Sequence, residues 1–448
     1  MPYHPHPAAL PNRNMIPPRV ILAHQSAIAR VLLLIFAFCA WSFTAPANLA
    51  LTLLILLFLA DIPRHWAQLR REPAFLLLVG ALLCTSLLAL RGVWLFPATA
   101  FDQLDAIGAW SAPLLFIVIA WWLRRDPQQV WAVLGCAMLG LVVGVLRKTD
   151  WSLTAEVLNG LRYDFGQSAL GLAFIASVML LGLFLFRARI VQIHPGGRAR
   201  PLLGWTLWGL GLALLLVILV VTQSRGAALG LAVAGGLYAF IQSRSRQGER
   251  SPRQKRLSFA FAALLVALAV LLLWTAKSRQ VYDWQELTTG SRHSELSYAG
   301  SISTRLNLLQ VGVQVIAERP LLGFGPGTSA TEFLVPQRIV PVSDYQLAHA
   351  PEWSHLHSVP LELLVRFGLA GLLIASALLA VLGRAYRSLW SDPGTAPDLR
   401  LFLTLGGVML LLYCLYDFRL LNLDLRFFCI LFLGLLYGLH LATEDRKE

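Results

Sequence analysis

The chain has 448 residues, of which 57% are hydrophobic and 14% charged, and a formal net charge of +13. A soluble domain carries about 25% charged residues, so this composition, with a mean hydropathy of +0.65, excludes an ordinary water-soluble globule. In a soluble protein such a charge would point to nucleic acid, but here the basic residues fall where membrane topology puts them.

Apolar runs of about 17–25 residues read as transmembrane helices. About twelve occur, at 27–43, 46–61, 74–90, 107–123, 129–146, 168–186, 203–222, 226–242, 258–275, 359–383, 399–416 and 425–442. They are continuous and rich in Leu and Ala, whereas a β-barrel would alternate in segments of about ten residues. The expected fold class is an all-α integral membrane protein. The second run is short and is expected to be tilted or partly re-entrant. The Pro- and His-rich N-terminus carries no signal-peptide pattern, so the first run is expected to act as an uncleaved anchor. His4 and His6 read as tail residues.

Every second connection is basic. Arg64, Arg70 and Arg71 follow the second run, Arg124 and Arg125 the fourth, and Arg187, Arg189, Arg198 and Arg200 the sixth. Arg244, Arg246, Arg250, Arg253, Lys255 and Arg256 follow the eighth, and Arg384 and Arg387 the tenth. The positive-inside rule assigns these connections to the cytoplasm. The expected organisation is a cytoplasmic tail at 1–26, helices one to nine over 27–275, a large periplasmic segment at 276–358, helices ten to twelve over 359–442, and a cytoplasmic tail at 443–448. The stretch 243–257 reads as a solvated connection near anionic lipid heads. Cys39, Cys84, Cys136, Cys414 and Cys429 all fall within apolar runs, show no zinc spacing and place no pair in the outer segment.

The outer segment has internal structure. Residues 278–303 read as irregular. Leu306, Leu309, Val313 and Ile316 then recur at helical spacing, with Thr304 as a candidate N-cap and Arg319-Pro320 as the end. This helix is expected to lie along the membrane surface with Arg305 near its start. Gly323, Gly325 and Gly327 follow. On paper they resemble a phosphate loop, but no strand precedes them and Pro326 removes a backbone donor, so a tight turn re-entering the protein is the expectation.

Two residues are candidates for chemistry. Arg225, in Ser224-Arg225-Gly226, sits in the hairpin between the seventh and eighth runs. It could snorkel to the headgroups or present a guanidinium fork to a phosphate. His357 stands just before the tenth run, where Ser358 could cap the helix and Pro360 is tolerated in its first turn. A helix dipole disfavours an added proton at its N-terminus, which leaves the imidazole able to accept one as a general base. His349 and His355 lie nearby and could support His357. The three histidines could also hold a metal, with Asp344 and Glu352 as oxygen ligands, but no clean metal motif emerges.

His357-Ser358, nine residues, Gly368, two residues and Gly371 fit the pattern H-[NSQ]-x9-G-x-x-[G/T/Y]. This resembles the signature of bacterial O-antigen ligases. Ser224-Arg225-Gly226, Arg305 and the run Arg319 to Gly327 resemble the wider superfamily, which also holds O-antigen polymerases and protein O-oligosaccharyltransferases. Those two activities are the alternatives. The resemblance is tight over about 222–371 and elsewhere rests on span count and loop placement.

What the resemblance implies is a GT-C-like glycosyltransferase without metal or other cofactor. It would transfer O-antigen from undecaprenyl pyrophosphate to a sugar hydroxyl of the lipid A core, inverting the anomeric centre. The product would be complete lipopolysaccharide at the periplasmic face of a Gram-negative inner membrane. His357 would be the base, and Arg225 and Arg305 would bind the donor pyrophosphate. His349, His355, Arg319 and Ser358 would be possible supporting residues. Arg147, Lys148 and Arg162 would help gather the anionic lipid acceptor. A transporter would instead carry ionisable groups in mid-span or paired broken helices, and few charges fall in mid-span here.

Overall fold

The computed structural model describes residues 18–159, 161–192, 201–244, 301–339, 353 and 355–446, together with Leu347 and parts of 260–271. Every regular element among them is helical. The long helices are α1 (Pro18–Cys39), α2 (Thr44–Leu69), α3 (Pro73–Leu95), α4 (Ala100–Ser111), α5 (Phe116–Leu123), α6 (Gln129–Lys148) and α7 (Ala169–Leu185). They continue with α8 (Pro201–Thr222), α9 (Arg225–Arg244), α10 (Ser301–Glu318), α11 (Val359–Phe367), α12 (Leu369–Ser391), α13 (Pro397–Tyr416) and α14 (Leu423–Asp445).

Nine spans among the described residues are long and apolar enough to cross a membrane, counting 97–123, which joins α4 and α5, as one. The first and sixth expected runs correspond to shorter apolar helices, Gln25–Cys39 and Ala169–Leu185. The ninth, 258–275, lies largely outside the described residues. The chain is thus a multi-pass, all-α membrane protein. The second run is longer than its sequence suggested: α2 extends to Leu69, and Pro63 lies inside it with a non-helical His65 two residues on. Proline withholds one hydrogen bond and kinks a helix without having to end it.

The centre of the bundle is α5 packed against α14. All eight residues of α5 are buried, and so are most of those in α14. In lipid, helices associate through close packing and not through hydrophobic exclusion. Gly434 and Gly438 provide it: a Cβ at Gly434 would meet Ile119 Cβ at 2.6 Å, and one at Gly438 would meet Leu123 Cβ at 3.0 Å.

The polar connections sort to the two ends of the bundle. At one end Arg30 pairs with Asp126 (3.0 Å), Arg125 with Asp61, Arg189 with Asp398 (2.6 Å) and Arg446 with Asp392 (2.7 Å). At the other end Arg147 reaches the Ser42 carbonyl at 2.7 Å, Arg162 the Thr222 carbonyl at 2.9 Å, and His357 the Asp417 carboxylate. The basic connections read from sequence contribute to the first end, and α10 and α11 stand at the second.

One expectation for α10 changes, its start. It starts at Ser301, three residues before the predicted cap Thr304. It buries Leu308, Val311 and Val315 against Phe324, Leu334, Val335, Leu356 and Val365, and leaves Leu306, Leu309 and Val313 exposed. The helix carries two apolar stripes, and periodicity does not say which one meets protein.

Candidate functional site

The histidine motif has a simple geometry. Its nine intervening residues are α11 itself, Val359–Phe367, and the glycine after them ends the helix. Gly368 has φ 60° and ψ −146°, a conformation open in practice only to glycine. A Cβ there would meet the Leu321 carbonyl carbon at 2.5 Å. Gly323, with φ +59°, is pressed equally close against the backbone of Arg366. The turn 320–325 and the end of α11 are therefore laced backbone to backbone. Phe324 N donates to Val365 O and Gly325 N to Arg366 O, both at 2.9 Å, and Leu369 N donates to Pro320 O at 2.9 Å. The glycine cluster is a turn docked on a helix end, as its lack of a preceding strand indicated.

Ser358 occupies the N-cap position of α11, but its hydroxyl makes no capping bond. Glu362 does the tethering instead. Fully buried, it accepts from the Leu356 N–H at 2.8 Å and from Arg366 Nε at 2.6 Å. Arg366 Nη1 also donates to Pro326 O at 2.8 Å. A buried carboxylate needs such saturation. The result joins the histidine segment to the glycine turn.

His357 is half-buried with a left-handed φ of 51°. A non-glycine residue there is strained by about 1–3 kcal/mol, and such residues cluster at functional sites. Its Nδ1 lies 3.2 Å from Asp417 Oδ1. Asp417, fully buried, follows the end of α13. Its Oδ1 also accepts from Phe418 N at 2.9 Å, and its Oδ2 from the Tyr413 hydroxyl at 3.0 Å and Arg419 Nε at 3.2 Å. Burial alone would raise this carboxyl, but the His357 hydrogen bond and the Arg419 charge hold it down at about 2. An ionised Asp417 fixes the proton of His357 on Nδ1 and leaves Nε2 with its lone pair. The His355 ring stands 4.3 Å from that of His357 and edge-on to Phe418. Burial, then the neighbouring His357, lower its basicity, and its Nδ1 is buried without a hydrogen-bond partner.

The other sequence candidates meet at the same end of α13. Arg305 Nε points to Tyr416 O at 3.4 Å. Gly226, next to Arg225, lies so close to the Tyr416 ring that a Cβ would overlap it. The Ser224 hydroxyl caps α9 by accepting from Ala227 N at 3.3 Å. The left-handed Gln223 (φ 48°) turns the chain into Arg225. Thus Arg225, Arg305, His355 and His357 are all arranged about Tyr413–Arg419. Arg319 is elsewhere, over the Phe96 and Phe324 rings. His349, Asp344 and Glu352 lie outside the described residues.

Asp417 is the residue that sequence reasoning missed. It stands sixty positions from His357, and only its place as an acid ending an apolar run hinted at a role.

His355, His357 and Asp417 each offer a ligand atom, all within 4.8 Å of one another. The donor set does not fit a metal well. Both Asp417 oxygens are already engaged by two hydrogen bonds each, one of them from a guanidinium that would repel a cation. The arrangement is that of a carboxylate orienting an imidazole.

Residues 210–376 match the family model described as O-antigen ligase. The match supports membership of the O-antigen ligase/polymerase superfamily. No curated protein matches the chain. The matched segment contains Arg225, Arg305, His357 and both motif glycines, whereas Asp417 lies beyond it. The matched family points to a glycosyltransferase-like enzyme.

Proposed function

We propose that the protein is an O-antigen ligase. It transfers O-antigen from undecaprenyl pyrophosphate to a sugar hydroxyl of the lipid A core, at the periplasmic face of a Gram-negative inner membrane. The observation that carries this reading is the His357–Asp417 pair, set at the same end of α13 as Arg305 and the Arg225 hairpin. The H-[NSQ]-x9-G-x-x-G pattern favours a ligase over a polymerase.

In this reading His357 Nε2 takes the proton of the acceptor hydroxyl. The acceptor oxygen forms the new bond to the anomeric carbon from the face opposite the diphosphate. The bond from that carbon to the phosphate oxygen breaks, and its electron pair leaves with the lipid diphosphate. The leaving diphosphate gains charge, so the guanidiniums of Arg225 and Arg305 grip it more strongly in the transition state than before it. Asp417 holds the imidazole in orientation and stabilises the imidazolium. Arginines in these places make a divalent ion unnecessary.

The test is transfer in vitro, with purified protein, undecaprenyl-pyrophosphate-linked glycan and rough lipopolysaccharide, without added metal. Wild type should ligate, and a chelator should have little effect. His357→Ala should lose at least about 100-fold in rate while still binding the donor. Wild-type turnover by His357→Ala removes the base. Inhibition by chelator that added metal reverses revives the His355–His357–Asp417 metal site. In a deletion strain, core bearing a single repeat would assign the polymerase activity instead. Unmodified glycoproteins beside intact lipopolysaccharide would assign protein O-oligosaccharyltransfer.

A further inference from the structure

A second pair of arginines stands apart from the first. Arg91, near the end of α3, donates from Nη1 to Gly323 O at 2.9 Å and to Leu322 O at 3.4 Å. Arg319 follows α10, and its guanidinium lies 5.3 Å from the Phe324 ring and 6.0 Å from that of Phe96. Both guanidiniums are therefore fixed on one short turn, 319–324. Each is only partly buried, and neither forms an ion pair among the described residues. Carbonyls and rings hold them in place without neutralising them, and two like charges so placed favour an anion between them.

The surroundings specify what kind of anion. α3 carries Leu83, Leu87, Leu90 and Trp94 at spacings of four, three and four, 61, 66, 61 and 79% exposed. They make one apolar stripe along a membrane-spanning helix, topped by a tryptophan at headgroup level. Leu321 and Leu322, on the turn itself, are also exposed. Cations above an apolar stripe suit a phosphate joined to acyl chains.

This site is not an extension of the first. Arg305 and Glu318 lie thirteen residues apart on α10, about 20 Å at the helical rise. Arg305 leans on Tyr416 at one end of the helix, while Arg319 leans on Phe96 and Phe324 at the other. One diphosphate does not span that distance.

We propose that Arg91 and Arg319 bind the phosphate of a second lipid whose acyl chains lie along the exposed stripe of α3. If the ligase reading holds, this lipid is the acceptor, and the enzyme docks its two lipid substrates at opposite ends of α10. The identification of the lipid as acceptor rests on that reading, whereas the phosphate-lipid site does not.

The test measures binding to the full-length protein in detergent, with four probes: bisphosphorylated lipid A, its dephosphorylated form, undecaprenyl pyrophosphate and inorganic phosphate. Arg319→Gln should weaken bisphosphorylated lipid A about tenfold, the loss of one charged hydrogen-bonding group. Adding Arg91→Ala should weaken it further. Both variants should bind undecaprenyl pyrophosphate as wild type does. Arg319→Gln guards against misfolding, because Arg319 donates no side-chain hydrogen bond to the turn, and Arg91→Lys should retain most of the binding. Unchanged lipid A binding in Arg319→Gln overturns the proposal, as does equal binding of the dephosphorylated form. Loss of undecaprenyl pyrophosphate together with lipid A, or full competition by inorganic phosphate, also overturns it. If lipid A binding follows the pair but no transfer occurs, the ligase reading fails and the site stands.

Discussion

Two sets of arginines, at opposite ends of the bundle, use their charge in opposite ways, although Arg187, Arg244 and Arg400 at the first end also lie over aromatic rings. At the end holding the basic connections, Arg30, Arg125, Arg189 and Arg446 each meet an aspartate. At the end holding α10 and α11, Arg91 and Arg147 donate to backbone carbonyls, and Arg319 lies over aromatic rings. An arginine paired with a carboxylate has spent its charge on the fold. One held by carbonyls and rings is equally well placed but keeps its positive field for something else. Arg366 and Arg419 are the exceptions at the second end, and both serve carboxylates that order the histidine segment.

The largest effect that would sharpen this contrast comes from Asp417→Asn. The amide can no longer hold the Nδ1 proton of His357 with a full charge, so transfer should fall by about 100-fold or more, with donor binding kept. A rate near wild type would mean that Asp417 only supports packing. Next comes Arg225→Ala, expected to weaken donor use about tenfold, with Arg225→Lys in between. Full activity of the lysine variant would reduce the fork to a simple point charge.

Acid should act on the same network. The Asp417 carboxyl is held at about 2, below the ordinary value of about 3.9, so it contributes stability that is complete above that ordinary value. This contribution, on the order of 2 kcal/mol, should be lost as pH falls from about 4 through 2, and Asp417→Asn should remove that acid sensitivity. Unfolding monitored across this range would show it. Smallest is Arg446→Ala at the opposite end. That pair is exposed on the arginine side, so its loss should cost less than about 1 kcal/mol and leave transfer unchanged. A matching loss of activity there would erase the distinction between the ends.

Much of this was legible in the sequence. The apolar runs foretold the helices, because twenty successive apolar residues have few other folds available in lipid. His357 and Arg225 were visible because a polar group at the edge of such a run needs a reason to be there. The glycine turn was legible from its missing strand. Asp417 was not, because a single acid beside Arg419 in the short connection between two apolar helices names no partner, and only the tertiary fold carries it to a histidine sixty residues away. The buried stripe of α10 was also hidden. Leu306, Leu309 and Val313 satisfy helical spacing as well as Leu308, Val311 and Val315 do, and the choice between them is made by Phe324 and Val365, which lie elsewhere in the chain.

The pairing of α5 with α14 bears on how the protein is made. Residues 123 and 423 bound the gap between them, some 300 residues, which at the usual pace of translation is roughly 15–60 seconds. Through that interval α5 must wait in the bilayer without its main neighbour. Its sequence, Phe-Ile-Val-Ile-Ala-Trp-Trp-Leu, is apolar on every side and so tolerates lipid as a temporary companion. A ribosome that stalls before α14 emerges would leave a bundle with an empty axis, a natural target for the membrane's quality-control proteases.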